Sequence, residues 1–363
     1  MQFGLSESQK ILQSNARKFF AAECPMADVR RIMETDTAHD EKLWHHMAEQ
    51  GFLGVVIPED AGGMGLGMVE LAALAEEMGR ALVPGAFISN LLAASAIHAA
   101  GSKKHLAEIA SGKTKATLAL LESSAKWDAD AVEMSGLKGE KMFVPDAGIA
   151  DVIVVAARDR GELALYAVDG KSATKTPMPS MDLTRRLYKI DFSGGGELLA
   201  RGDAARKALD RALDIGTVAL CAEITGGMQR TMEIAVEYAK TRKQFGKPIG
   251  QYQAVQHQCA DMLLWTESSR SAALYAAWAL ENGVPDARAA VSVAKVYASD
   301  ACREVGNRGV QVQGGMGFTW ENDTHLYYRR AKASEIAFGD ASFHRERIAK
   351  LVVDHQRREA VNV

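Results

Sequence analysis

From residue 204 to residue 241 the sequence holds one helical pattern, and its middle, Ile215 to Ile224, is apolar nearly all the way round. Such a helix has no face suited to water, so it needs neighbours on most sides, as in the interior of a bundle. Further helical patterns follow at 252–281, 286–308, 324–336 and 342–356. The start of the chain is helical as well. Ser6, with Gln9 three residues on, makes a capping box, and Leu5, Ile11, Leu12, Phe19 and Phe20 form an apolar face behind it. EKLWHHMAEQGFLG predicts a helix ended by Gly51, and MVELAALAEEMGRAL and FISNLLAASAIHAAGS predict two more.

Between Lys113 and Ser193 the texture changes. ATLALL, DVIVVAA, LALYAV and RLYKIDF are short, β-rich and separated by polar or glycine-containing turns, which predicts a small β domain. The order is α, then β, then α, without the alternation of a doubly wound sheet. The expected fold is therefore mainly α with a central β domain. It divides into an N-terminal helical domain at 1–112, a β domain at 113–202 and a C-terminal helical bundle at 203–363.

Composition excludes several classes. A formal charge of -3 leaves no basic excess to neutralise phosphates, which argues against nucleic acid. Cys24, Cys221, Cys259 and Cys302 are far apart and form no CxxC, so neither a zinc site nor a disulfide framework is indicated. MQFGLSESQKILQSNARKFF has charges through its helical stretch and does not read as a signal peptide. No apolar run reaches the roughly 18 residues of a membrane span. The expected location is the cytoplasm.

Three glycine-containing stretches invite a ligand. PEDAGGMGLGMVEL precedes a helix, but Gly63, Gly65 and Gly67 do not make G-x-G-x-x-G, and the stretch reads as a loop. In VQVQGGMGFTWEND, Gly314, Gly315 and Gly317 would let a ligand approach the backbone, with the Gln311 amide to bond it; in isolation, helix-ending glycines explain it as well. In AVEYAKTRKQFGKPIGQYQAVQH, Arg242 could grip a pyrophosphate beside Gln244 and Phe245, or simply end a solvated basic helix.

Together these stretches resemble the acyl-CoA dehydrogenase family over nearly the whole chain. GFLGVVIPEDAGGMGLGMVELAALAEEMGR is similar to its N-terminal helical domain, YAKTRKQFGKPIGQYQAVQHQCADM to its R-x-x-F-G…Q signature, and QVQGGMGFTWENDTHLYYRRAK to its Q-x-x-G-G-x-G…E…R-x-A-K signature. The resemblance implies FAD held between the β domain and the C-terminal helices, with contacts crossing a subunit interface. By position, Arg242 would bind the pyrophosphate, and Gln244, Phe245, Ile249 and Gln253 would line that part of the cofactor. Gln311, Val312, Gly314 and Gly315 would contact the FAD of a neighbouring subunit.

The family's reaction is α,β-desaturation of a CoA thioester, and it needs a carboxylate base. In most members that base is a Glu just before the glycine of a turn, where this chain has Phe338 in AFGDAS; a second family location for the Glu aligns with Gly216. A Phe cannot take a proton, so the catalytic residue is unassigned. Glu223 lies two helical turns, about 10 Å, beyond Gly216, and reads either as a base or as a buried partner for an arginine. Asp340 reads as a base or a helix cap. His344, within HRER, reads as part of a solvated helix face.

The β domain also departs from the family: LLESSAKWDADAV stands where T-E-P and G-S-D elements are common, Phe143 replaces an aromatic near the flavin, and Pro145 replaces a hydroxyl residue. The resemblance thus favours a base-lacking subunit of a bacterial heteromeric acyl-CoA dehydrogenase, whose partner is a second subunit of the same family, possible substrates including bulky steroid-side-chain thioesters. Alternatives are a self-sufficient homotetramer with an unusual base, a flavin monooxygenase of the same fold, or a non-enzymatic scaffold.

Overall fold

The computed structural model describes residues 4–353. Eleven helices and nine strands are found among them: α1 Glu7–Glu23, α2 Met26–Met33, α3 Glu41–Glu49, α4 Met68–Arg80, α5 Phe87–Ala99, α6 Leu106–Ala110, β1 Ala116–Ala119, β2 Lys138–Pro145, β3 Val152–Asp159, β4 Glu162–Asp169, β5 Thr174–Met178, β6 Leu187–Ser193, β7 Glu197–Arg201, α7 Asp203–Thr241, β8 Lys243–Gln244, β9 Lys247–Pro248, α8 Gln253–Glu281, α9 Ala287–Gln313, α10 Thr324–Ile336 and α11 Ala341–Ile348. The architecture is mainly helical with a small β domain, as the change of texture predicts. The last predicted segment, 342–356, extends past the described residues.

The chain gathers into two compact units. One draws on the chain up to Ala27, on Met68–Val83 and on the chain from Thr217; the other comprises Asp28–Gly67 and Pro84–Gly216. α7 begins in the second and continues through the first.

The second unit holds β1 to β7. One sheet has the order β1-β3-β4-β7, with β1 and β3 parallel; the other has the order β2-β6-β5, all antiparallel. Its core is Ile153, Val155 and Ala157 of β3 against Val144 of β2 and Ile190 and Phe192 of β6. The register of β2 on β6 shifts between Lys141 and Val144, and Phe143 within that bulge has φ +55°. β2 escapes the strand pattern in sequence because KGEKMFVP carries charges where alternation would show.

The first unit is helical apart from the short β8–β9 pair. At its start, the Ser6 side chain accepts from the Gln9 N–H and the Gln9 side chain accepts from the Ser6 N–H, so two helix-end donors are satisfied reciprocally. α7 is buried on every side from Asp214 to Gly226, which fits its apolar middle. α4 crosses α7 with almost no gap: a Cβ added to Gly79 would lie 1.9 Å from the Glu223 carbonyl oxygen, and one added to Gly226 would lie 1.8 Å from that of Glu76. Only glycines permit this approach. α9 runs five residues past its predicted end at 308, because Gly309 and Val312 pack inward and tertiary burial outweighs their weak helix propensity. No helix among the described residues is long and apolar enough to cross a membrane.

Candidate functional site

α10 ends at Ile336, and the chain then turns through Phe338 (φ +60°) and Gly339 (φ +98°) into α11. A left-handed phenylalanine is a strained residue, held only where its surroundings dictate it. Phe338 is 8% exposed, so its ring is packed inward. A Cβ on Gly339 would sit 2.2 Å from the Phe343 ring. Asp340 is the N-cap of α11: its Oδ1 accepts from the Phe343 N–H at 2.8 Å.

The expectation of a solvated face at His344 is overturned. Its imidazole is 1% exposed and places Nε2 3.0 Å from the Phe338 carbonyl oxygen. A carbonyl only accepts, so that nitrogen carries the proton. Burial first, and the Lys295 charge second, push the His344 pKa down to about 4. The charged neighbours in HRER disguised a residue whose side chain faces the interior.

Glu223, on α7, is buried and ion-paired with Arg330 of α10, which is itself buried and also donates to the Val83 carbonyl at 3.2 Å. Between these two readings of Glu223, the geometry is that of an arginine partner. A cavity of about 20 Å³, room for about one water, adjoins the pair beside Thr231, Tyr327 and Ser334. Gly216, on the same helix, contributes no side chain.

Beyond the end of α7, β8 and β9 form a two-stranded hairpin that displays Arg242, Gln244 and Phe245. Phe245 has φ +52° and is 92% exposed. Besides the β8–β9 pairing, the hairpin is fixed by the Ile249 N–H donating to the Arg242 carbonyl at 2.8 Å, the Tyr252 hydroxyl donating to the Gln244 carbonyl at 3.1 Å, Lys247 Nζ 4.4 Å above the Tyr252 ring, and the Phe245 ring edge-on to Tyr252 at 6.4 Å. Gln253 is exposed and Ile249 half-buried. Tyr252 and Lys247 are the organising residues that motif reading passed over, although both lie inside the quoted stretch.

At the end of α9, Gln311, Gly314 and Gly315 are exposed, while the Val312 side chain is buried, leaving its backbone for any contact. Gly314 (φ +59°) and Gly315 have open space where a Cβ would stand. Gln313 secures this turn from inside: its Nε2 donates to Thr324 Oγ1 at 2.6 Å and its Oε1 accepts from Asn322 at 2.6 Å. The hairpin and the glycine turn are joined by no hydrogen bond, ion pair or ring contact among the described residues. Each is a rigid display of a guanidinium, amides, a bare aromatic ring or open backbone. Such groups suit a ligand with anionic oxygens and a flat ring system.

In the β-bearing unit, Glu122 pairs with the buried Lys141 at 2.6 Å and accepts from the N–H groups of Glu133 and Met134, which anchors the stretch 122–134. Phe143 is exposed at its bulge, and the Pro145 carbonyl accepts from Thr117 Oγ1 at 2.6 Å.

Comparison with known proteins agrees with this layout. The acyl-CoA dehydrogenase N-terminal domain profile matches residues 6–113, and the C-terminal domain profile matches residues 206–353. Acyl-CoA dehydrogenase IpdE2 of Mycobacterium tuberculosis is 32% identical over 331 residues, covering 90% of this chain and 92% of that one. The structure of a variant of the Tcur3481-Tcur3483 steroid ACAD superposes with a TM-score of 0.88 at 29% identity, over 97% of this chain and 99% of that one. The ChsE4-ChsE5 complex from Mycobacterium tuberculosis gives 0.88 at 25% identity, over the same shares of 97% and 99%. The chain belongs to the acyl-CoA dehydrogenase family, oxidoreductases acting on CH-CH groups.

Proposed function

We propose that this chain is one subunit of a heteromeric, cytoplasmic, FAD-dependent acyl-CoA dehydrogenase that desaturates a CoA thioester with a carboxylate drawn from a second subunit. One observation carries the reading. Where the base is expected stands the inward-packed Phe338, while the two carboxylates weighed as substitutes are occupied, Asp340 in capping α11 and Glu223 in neutralising Arg330.

Arg242 would hold the pyrophosphate by its planar fork, and Phe245, Gln244, Ile249 and Gln253 would line the cofactor beside it. Gln311, Gly314, Gly315 and the Val312 backbone would cover a further part of a neighbouring subunit's FAD. The exposed Phe245 ring and the open space at Gly314 and Gly315 fit such a group. FAD, when bound, supplies the acceptor for the hydride leaving the β carbon. Among the described residues, the two carboxylates weighed as bases, Glu223 and Asp340, are both engaged, so in this reading the α proton goes to the second subunit's carboxylate. Freeing Glu223 would take the neutralising carboxylate from the buried Arg330 guanidinium, which is strongly unfavourable. The likeness to a steroid ACAD and to the two-component ChsE4-ChsE5 complex supports a bulky, steroid-side-chain thioester and an assembly of two different subunits.

The test is native mass spectrometry of the chain produced with and without its genomic neighbour, counting flavin per assembly, followed by acyl-CoA addition. The chain alone should retain little FAD and bleach none, and the co-produced assembly should do both. Rapid flavin reduction by the isolated chain would sink the proposal.

A further inference from the structure

Four helices of the first unit, α1, α4, α7 and α8, surround a hollow of about 390 Å³, within the range of about 300–1,000 Å³ in which proteins hold small molecules. No residue of the hairpin, the glycine turn or the corner lines it. Three arginine–carboxylate pairs stand in or beside its wall, and each joins two helices. Arg17 of α1 grips Glu77 of α4 through Nε and Nη2, at 2.8 and 2.7 Å. Arg270 of α8 donates from Nε to Glu76 of α4 at 3.0 Å and from Nη2 to the Gln229 side chain at 3.0 Å. Arg80 of α4 donates to both oxygens of Glu233 on α7, at 2.6 and 2.5 Å. These charges balance, so the wall has no net sign.

The pairs are not equally closed. Glu233 accepts two hydrogen bonds from Arg80 and one each from Gln229 and Arg230, and has nothing left to offer. Arg17 and Glu76 both line the hollow, and each keeps one atom in reserve. Among the described residues, Arg17 Nη1 donates to no group and Glu76 Oε2 accepts from none. Glu76 is 7% exposed, and burial pushes its pKa up in spite of Arg270 beside it. Such a carboxylate gains from a second cation. The Arg17 side chain is 53% exposed, so the free edge of its guanidinium can be reached from solvent. Gln13, half-buried, adds an amide, and Ala73 and Leu274 add an apolar wall.

We propose that this hollow binds a small zwitterion of the amino-acid type, its carboxylate on Arg17 Nη1, its ammonium on Glu76 Oε2 and an apolar side chain against Leu274. A simple anion would bring its charge against Glu76, Glu77 and Glu233, and a simple cation against Arg17, Arg80 and Arg270. A molecule carrying both charges answers the open donor and the open acceptor together and leaves the wall neutral. Both contacts are charge-assisted hydrogen bonds, the strong kind.

The test is isothermal titration calorimetry of the full chain with L-leucine, 4-methylpentanoate and 3-methylbutylamine. The last two keep leucine's skeleton but lack its ammonium and its carboxylate, respectively. Leucine should bind saturably, and each analogue about tenfold more weakly or worse, as the loss of one charge-assisted hydrogen bond gives. Arg17→Met and Glu76→Gln should each weaken leucine binding by about the same factor. Both variants also break a buried pair. Leu274→Trp fills the hollow without touching a charge, and it decides the matter if those two do not fold. It should abolish leucine binding while the circular dichroism spectrum is retained. No saturable heat with leucine, an analogue that binds as tightly, or undiminished leucine binding in Leu274→Trp overturns the proposal.

Discussion

The hairpin and the corner each contain an arginine and a phenylalanine at positive φ, and the two pairs are in opposite circumstances. In the hairpin, Arg242 and Phe245 are exposed and spend no contacts on the chain's own interior. In the corner and its helix, Arg330 is neutralised by Glu223, and Phe338 is packed inward over carbonyls held by Lys295 and His344. Backbone strain appears at both places, so strain alone does not mark function here. The difference lies in whether the strained residue is satisfied within the chain. The hairpin waits for something outside; the corner is complete without a base.

This contrast can be broken in several ways, beginning with the arginines. Arg330→Met should cost about 3–5 kcal/mol in urea unfolding, because it removes the buried counter-charge of Glu223. Arg242→Met should change stability by less than about 0.5 kcal/mol yet reduce the FAD retained by the assembly. Comparable losses of stability from both would erase the distinction.

Acidity probes the corner next. The His344 pKa falls from 6.5 to about 4 on folding, so between those values the unfolded chain binds the extra proton. Its contribution to stability is then complete above pH 6.5 and is lost as the pH falls toward 4, by up to about 3 kcal/mol. The melting temperature of His344→Gln, followed over the same range, should fall less than that of the wild type. Parallel curves would show that the imidazole is not the group being titrated.

The phenylalanines sharpen the contrast most directly, since glycine relieves the same strain at both. Phe338→Gly should be destabilising by about 2 kcal/mol, roughly 3 lost from burial against about 1 regained from strain. Phe245→Gly loses little buried surface, only an edge-on contact with the Tyr252 ring at 6.4 Å, and should be neutral or stabilising by up to about 1 kcal/mol, with weaker FAD retention as its cost. Opposite signs in paired denaturation curves are the expected outcome; the same sign at both positions would show that the two rings have similar surroundings after all.

How far these surroundings were legible in the sequence depends on their range. The capping box of Ser6 and Gln9 was readable because three residues of spacing settle it. The hairpin stretch was readable because its chemistry is contiguous, from Arg242 to Gln253. Lys295 was not singled out, although its helix carried a signal: Val291, Ala298 and Cys302 lie at i−4, i+3 and i+7, a spacing that puts the lysine on the buried face. His344 was misjudged because three of its close neighbours are charged, and local polarity says nothing about which residue of a turn of helix faces inward. The Glu223–Arg330 pair spans 107 positions, a distance at which no spacing rule operates.

The contact between Gly79 and Gly226 has a consequence for how this interior can change over time. The two glycines act as a gauge: they set how near α4 comes to α7, and through the Gly79 contact they set where the Glu223 backbone lies relative to Arg330. A methyl group added at either glycine is a steric change where it is made, but it arrives at the ion pair as an electrostatic one. Substitutions at Gly79 and Glu223 should therefore be coupled in double-mutant cycles, and drift at one position is constrained by the other even though one of them carries no side chain.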